Sequence, residues 1–350
     1  MTASPPSTPD PLSPQAIMDL AWAFQGSRVL LTAYELDLFS ELRDGSTSSR
    51  EVAHARGTDE RATDRLMDAL CAMGLLEKKD GRFSNAASAS HFLVKGKPDY
   101  LAGLMHMVHL WETWSTLTEA VRRGRSVVDR AEDVNERGAE WLRAFIAAMH
   151  WRACQHAPGV VGLLDLSGVS RVLDVGAGSA AYAMAFVRAR DDIAAVAFDL
   201  PNVIPLTQDY IRQAGLQAKV RTAVGNYDVD PLGSDFDLVF LSAIIHSNSP
   251  SGNRTLIGKA ARAAAPQGQV VVQDFIVDED RTGPPFAALF ALNMLVGTEA
   301  GDTYTESEVR QWMEEAGLHQ VVRKDTSFGT SLIIGRKEAG EGRRSTRSRG

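Results

Sequence analysis

The sequence predicts an α/β protein: a doubly wound, largely parallel sheet finished by an antiparallel hairpin, preceded by a mostly helical domain of winged-helix type. Three observations carry this. From residue 171 onward, short apolar runs alternate with helix-period stretches, the pattern of a buried parallel sheet covered by helices on both faces. The first of these runs, RVLDV at 171–175, empties into Gly176 and Gly178 and then into a helical pattern, a bend with exposed backbone at a helix N-terminus. In the first half, three helical stretches lead into LLEKKDGRFS, two extended runs about an Asp80–Gly81 turn.

Taken in order, residues 1–13 are rich in Pro, Ser and Thr without an apolar core and are expected to be disordered, neither signal peptide nor anchor. A helix begins at Pro14, with Ile17, Leu20, Ala21 and Phe24 at helical spacing. Apolar density continues to Leu42, more than the face of one copy needs, which predicts a homodimer. Helices follow at 48–56 and 59–73, ended by Gly57 and Gly74. Asp59, Glu60, Asp64 and Asp68 on the latter would meet DNA phosphates badly, so residues 14–98 read as a dimerisation module and no nucleic-acid partner is expected.

Residues 99–165 read as a helical connector rich in Trp, Met and His, forming one wall of a pocket. His106 and His109 have a spacing that can ligate metal, but no third ligand lies in sequence reach, and no metal is expected. Residues 166–337 form the cofactor domain, with strands at 171–175, 194–199, 219–224, 237–242 and 269–275. Helices are expected at 179–190, 201–214 and 253–264, with an inserted helix at 284–298. A capped helix at 305–316, with Thr305 and Glu308 as its capping box, precedes a hairpin of 319–325 and 330–336 about Gly329. Residues 338–350 are a solvated basic tail.

Composition narrows the function. Of 350 residues 44% are hydrophobic and 23% charged, with a formal net charge of −7, so no basic field favours nucleic acid or an anionic membrane. Cys71 and Cys154 stand far apart and read as reduced thiols, and no apolar run approaches the roughly 18 residues of a membrane span, so a cytoplasmic location is expected. The bend after residue 175 admits two readings. As G-x-G-x-x-A (Gly176, Gly178, Ala181) it fits a dinucleotide site; as D-x-G-x-G (Asp174, Gly176, Gly178) it fits S-adenosylmethionine. Either way Asp199, closing the next apolar run, stands where a ribose-binding carboxylate belongs. Against a nicotinamide oxidoreductase, no Tyr-x-x-x-Lys pair stands near the crevice.

LDVGAGSA at 173–180, FDLP at 198–201, GNY at 225–227, LSAIIHS at 241–247 and PQGQVVVQDFIVDED at 266–280 occur together in this order. With them, over about residues 15–337, the chain resembles the class I S-adenosylmethionine-dependent O-methyltransferases of the caffeic acid, acetylserotonin and bacterial polyketide-tailoring type, which have an N-terminal dimerisation domain. The resemblance implies S-adenosylmethionine as cofactor, its methionyl end at Asp174, Gly176 and Gly178, its ribose on Asp199 and its adenine by Leu200, Asn226 and Tyr227. Ser242 stands where the plant enzymes keep a Lys. His246 holds the general-base position and Asp274 that of a carboxylate orienting it. The acceptor is expected to be a small aromatic or polyketide-like hydroxyl compound, since His109, Met149, His150, Phe290, Asn293 and Met294 suggest a mostly apolar pocket. Four further positions depart from the family pattern: Ala180 for a third glycine, Asn226 for Asp, Ser247 for Asp, and Thr303 for a second Glu beside the histidine. Relatives that keep the cofactor but methylate carbon or nitrogen, or hydroxylate, form the alternative.

Overall fold

The structure, a computed structural model, describes residues 12–128 and 138–339, so the expected disorder of the N-terminus and the basic tail falls almost wholly outside the described residues. The chain divides into two compact units, Met1–Val108 and His109–Gly350.

In the first unit, α1 (Pro14–Glu35) starts where Ser13 Oγ accepts the Ala16 N–H and Pro14 takes the first helical position. After α2 (Leu38–Glu41), α3 (Ser49–Arg56) opens on a reciprocal Ser48–Glu51 capping box and closes on left-handed Gly57. Next comes α4 (Glu60–Ala72), capped by Asp59. Strands β1 (Leu76–Lys79) and β2 (Arg82–Asn85) pair antiparallel about Asp80 and Gly81, both at positive φ as a tight hairpin turn demands. An isolated antiparallel bridge from Thr47 to Phe83 ties the chain before α3 to this hairpin. Phe39, Met67, Leu70 and Phe83 centre its core. Lys78 of the hairpin sits 2.6 Å from Asp68, so charge is neutralised within the unit. The first half of α1 leaves Ile17, Leu20 and Trp22 exposed. Helix α5 (Ala87–Phe92), absent from the sequence expectation, follows the hairpin, and α6 (Leu104–Trp114) runs on into the second unit.

The second unit continues with α7 (Leu117–Arg123) and α8 (Ala139–Gly162), then alternates: β3 (Arg171–Val175), α9 (Ala181–Ala189), β4 (Ala194–Asp199), α10 (Ile204–Gln213), β5 (Val220–Val224), β6 (Phe236–Ser242), α11 (Pro250–Ala263) and β7 (Ala264–Asp274). After β8 (Ile276–Val277) come α12 (Pro285–Gly297), β9 (Tyr304–Thr305), α13 (Glu306–Glu315), β10 (Leu318–Asp325) and β11 (Ser331–Lys337). The main sheet has the order β10-β11-β7-β6-β3-β4-β5, parallel except that β11 runs against both β10 and β7. Alternation along the strands splits the core. Leu173, Val175, Val239 and Leu241 pack on the side of α11 and α13, whereas Val172, Leu238 and Phe240 pack on the side of α8 and α9. Each such side chain contributes about 1.5–3 kcal/mol of burial.

Three differences from the sequence reading have local causes. β7 begins at Ala264, not 269, because a register shift between Phe236 and Leu238 lets the strand take up extra residues next to Gln267, itself at positive φ. α10 starts at Ile204 rather than 201, with Pro205 in its first turn. The short parallel pair β8–β9, too brief to leave a periodic signal, had not been anticipated.

Candidate active site

The sheet order reverses direction between β3 and β6, and the crevice at their carboxyl ends is where doubly wound sheets take ligands. Asp174, next to last in β3, is 1% exposed and accepts the Ala183 N–H at 3.0 Å. Burial, with Asp199 nearby, pushes its carboxyl up to about 7. The bend follows at once. Gly176 has φ 63°, and a Cβ there would come 2.8 Å from the Ile244 methyl. Gly178 has φ 54°, a conformation that favours glycine, and the Ile146 methyl lies 3.7 Å from where a Cβ would stand. Ala180, at the third position of the motif, is held left-handed at φ 60° without being glycine.

The bend is braced from three sides. Asp199 Oδ2 accepts the Gly178 N–H at 2.6 Å while its Oδ1 accepts the Leu200 N–H at 2.7 Å. Thr207 donates to the Gly178 carbonyl at 2.6 Å, and the ring of His150 is hydrogen-bonded through Nδ1 to Ser179 Oγ at 2.8 Å. Asp199 is buried, which raises its carboxyl to about 6; each of its oxygens has a lone pair left for a hydroxyl. Leu200 packs beside Val203 and Leu206, an apolar shelf next to that carboxylate. Asn226 spends its side-chain carbonyl on the Asp228 N–H at 2.9 Å, and the Tyr227 hydroxyl donates to Asn248 Oδ1 at 3.2 Å. Ser242 donates to Gln273 Oε1 at 2.6 Å beside the hydroxyl of half-buried Tyr182.

Past β6 the chain turns through Ala243, at positive φ, into a single 3₁₀ turn, Ile245–Ser247. That turn sets His246 Nδ1 2.8 Å from Asp274 Oδ1 at the end of β7. Asp274 is 2% exposed, and the same oxygen accepts the Phe275 N–H at 2.8 Å. Since an ionised carboxylate only accepts, the imidazole proton belongs on Nδ1, which leaves Nε2 with a lone pair. Phe290 meets the His246 ring edge-on, 4.9 Å between centroids, and Phe275 and Phe286 extend the aromatic wall.

Of the expected pocket residues, Phe290 meets the His246 ring, and Asn293 accepts the Trp114 indole N–H at 2.8 Å. Met294 is buried, Met149 is half-buried on α8, and His150 belongs to the glycine bend through Ser179. His109 Nδ1 is buried and has no hydrogen-bond partner among the described residues. No group of three or more metal-ligating side chains forms among the described residues. Sequence reasoning missed Gly301. A Cβ there would lie 2.4 Å from the His246 carbonyl, and the next residue, Asp302, donates its N–H to that carbonyl at 2.9 Å. Thr303 is buried behind this contact and gives its own N–H to Asp302. The only signal was the Ala-Gly-Asp-Thr string after α12.

Comparison with known proteins bears on this geometry. The family profile described as O-methyltransferase domain matches residues 114–319, and that described as O-methyltransferase dimerisation domain matches residues 18–95. The 3-hydroxy-5-methyl-1-naphthoate 3-O-methyltransferase of Streptomyces sahachiroi is 35% identical over 336 residues, covering 94% of this chain and 97% of that protein. The tetracenomycin polyketide synthesis 8-O-methyl transferase TcmO of Streptomyces glaucescens is 32% identical over 329 residues, covering 93% and 97%. A solved structure described as PigF with SAH superposes with a TM-score of 0.85 at 26% identity, over 93% of this chain and 100% of that one. The O-methyltransferase profile takes in the carboxyl ends of β3, β6 and β7. The chain belongs to the S-adenosylmethionine-dependent O-methyltransferases that have an N-terminal dimerisation domain.

Proposed function

We propose that the chain methylates a hydroxyl of a small aromatic or polyketide-like acceptor, with His246 as general base. The residues at the bend fit S-adenosylmethionine: a buried carboxylate for an ammonium, a second one for a diol, a bend whose two glycines carry no side chains, and an apolar shelf. On this reading Asp174, Gly176 and Gly178 hold the methionyl end, Asp199 takes the ribose hydroxyls, Leu200 lies against the adenine, and Asn226 and Tyr227 border it. When bound, the cofactor supplies a methyl group on a sulfonium, electrophilic without further activation. The protein's task is then to align the hydroxyl, keep water out and remove one proton. A phenol with a pKa near 10 holds its proton at neutral pH, and an imidazole with a free Nε2 is matched to accept it.

The observation that supports this most directly is the His246–Asp274 contact at 2.8 Å, with the Phe290 ring set against the imidazole. Asp274 fixes the tautomer and steadies the imidazolium formed on proton transfer. The aromatic acceptor class rests on the Phe275, Phe286 and Phe290 wall and on the naphthoate and polyketide relatives. Residues 14–98 would join two copies into a homodimer, with residues 166–337 as the catalytic domain of a cytoplasmic enzyme. Replacing His246 by Ala should lower kcat by roughly 10²–10⁴ on phenolic acceptors while SAH still binds as in wild type. Normal turnover by that variant would remove the base assignment, and turnover on carbon or nitrogen acceptors alone would remove the hydroxyl.

A further inference from the structure

The aromatic wall beside His246 ends on a charge that the protein does not pair. Arg152, on α8, places its guanidinium carbon 4.5 Å from the Phe275 ring centroid and 5.6 Å from that of Phe286. Phe275 meets Phe290 with 4.6 Å between centroids, and Phe290 is the ring set edge-on to His246. Among the described residues Arg152 forms no ion pair and donates no hydrogen bond; it lies over two ring faces, with Tyr182 near enough to act on its charge. Asp274 is close enough for its field to reach the guanidinium, yet its oxygens accept from the His246 ring and from the His246 and Phe275 N–H groups, and none accepts from Arg152. Burial works against the guanidinium's charge, although an arginine in a protein does not give up its proton.

A cation–π contact of about 0.5–2 kcal/mol offsets part of that burial but satisfies none of the five N–H donors. A planar fork of unspent donors, flanked by aromatic faces at the edge of the acceptor site, matches a carboxylate on a flat ring. We infer that Arg152 binds a carboxylate of the methyl acceptor, so that the substrate is an aromatic hydroxy acid with its acid group on the guanidinium and its hydroxyl toward His246 Nε2. This builds on the reading of His246 as the base, and it adds what that reading leaves open, the acidic class of the acceptor.

Calorimetric titration of the full chain, saturated with SAH, against 1-naphthoate reads the anion site without turnover, because 1-naphthoate has no hydroxyl to methylate. Wild type should bind 1-naphthoate in preference to the neutral 1-naphthamide. Arg152→Gln should weaken 1-naphthoate by about tenfold to a hundredfold, and Arg152→Lys by less, with SAH affinity in both variants reporting an intact fold. Equal affinity of wild type and Arg152→Gln for 1-naphthoate overturns the proposal. Should the variants fail to fold, the wild-type comparison decides, and a preference for the amide overturns it. A hydroxynaphthoate that binds through Arg152 but is not methylated upholds this site and counts against the His246 assignment instead.

Discussion

Asp174 sits in a place where folding favours the protonated acid, its carboxyl raised from an ordinary 3.8 to about 7. Between those values the folded chain binds the proton more tightly than the unfolded chain does. The group's contribution to stability is therefore full at low pH and is lost as pH rises through about 7. In the ligand-free protein, Asp174→Asn should melt higher than wild type, by a margin that grows from pH 5 to about pH 7 and then levels off. A margin that does not change with pH would refute the burial argument. A cation at Asp174 reverses the balance, since it favours the ionised form. S-adenosylmethionine should accordingly bind wild type more weakly below about pH 7, and Asp174→Asn weakly with a much flatter pH profile. Isothermal titration from pH 5.5 to 8.5 would follow both.

At the scale of elements, what the sequence disclosed was what has a period or a fixed turn chemistry. The strands at 171–175 and 194–199 were legible to the residue because they are apolar runs buried on both faces, and the Thr305–Glu308 capping box was legible because its spacing is its mechanism. Contacts made across the sheet left no such mark. Nothing local in the sequence places Arg152 over Phe275, or shows that Asn226 already spends its carbonyl on its own turn. Gly301 is the sharpest case, because its requirement is set by the His246 carbonyl, more than fifty residues away in the chain. Gly301→Ala would drive a Cβ into that carbonyl and displace the histidine-bearing turn. It should cost about 1–3 kcal/mol of stability and at least tenfold in kcat, with SAH affinity kept. A variant with wild-type kcat would show that the loop does not position His246.

For the whole molecule, the exposed apolar start of α1 stands out against an acidic composition, and the residues left uncovered are those a second copy would cover. Replacing Leu20 and Trp22 together by Glu should halve the mass that light scattering reports for wild type at micromolar concentration. An unchanged mass would place the dimer contact elsewhere or deny it. No helix among the described residues is long and apolar enough to cross a membrane.

The glycine bend carries one more consequence. Asp199, Thr207 and His150 all grip it through bonds internal to the protein, so its shape does not wait on a visitor. A donor bound at this bend would then draw little on ordering entropy, and its departure would not need to melt anything. Amide exchange at Gly178 should be slow in the empty protein and change little on loading.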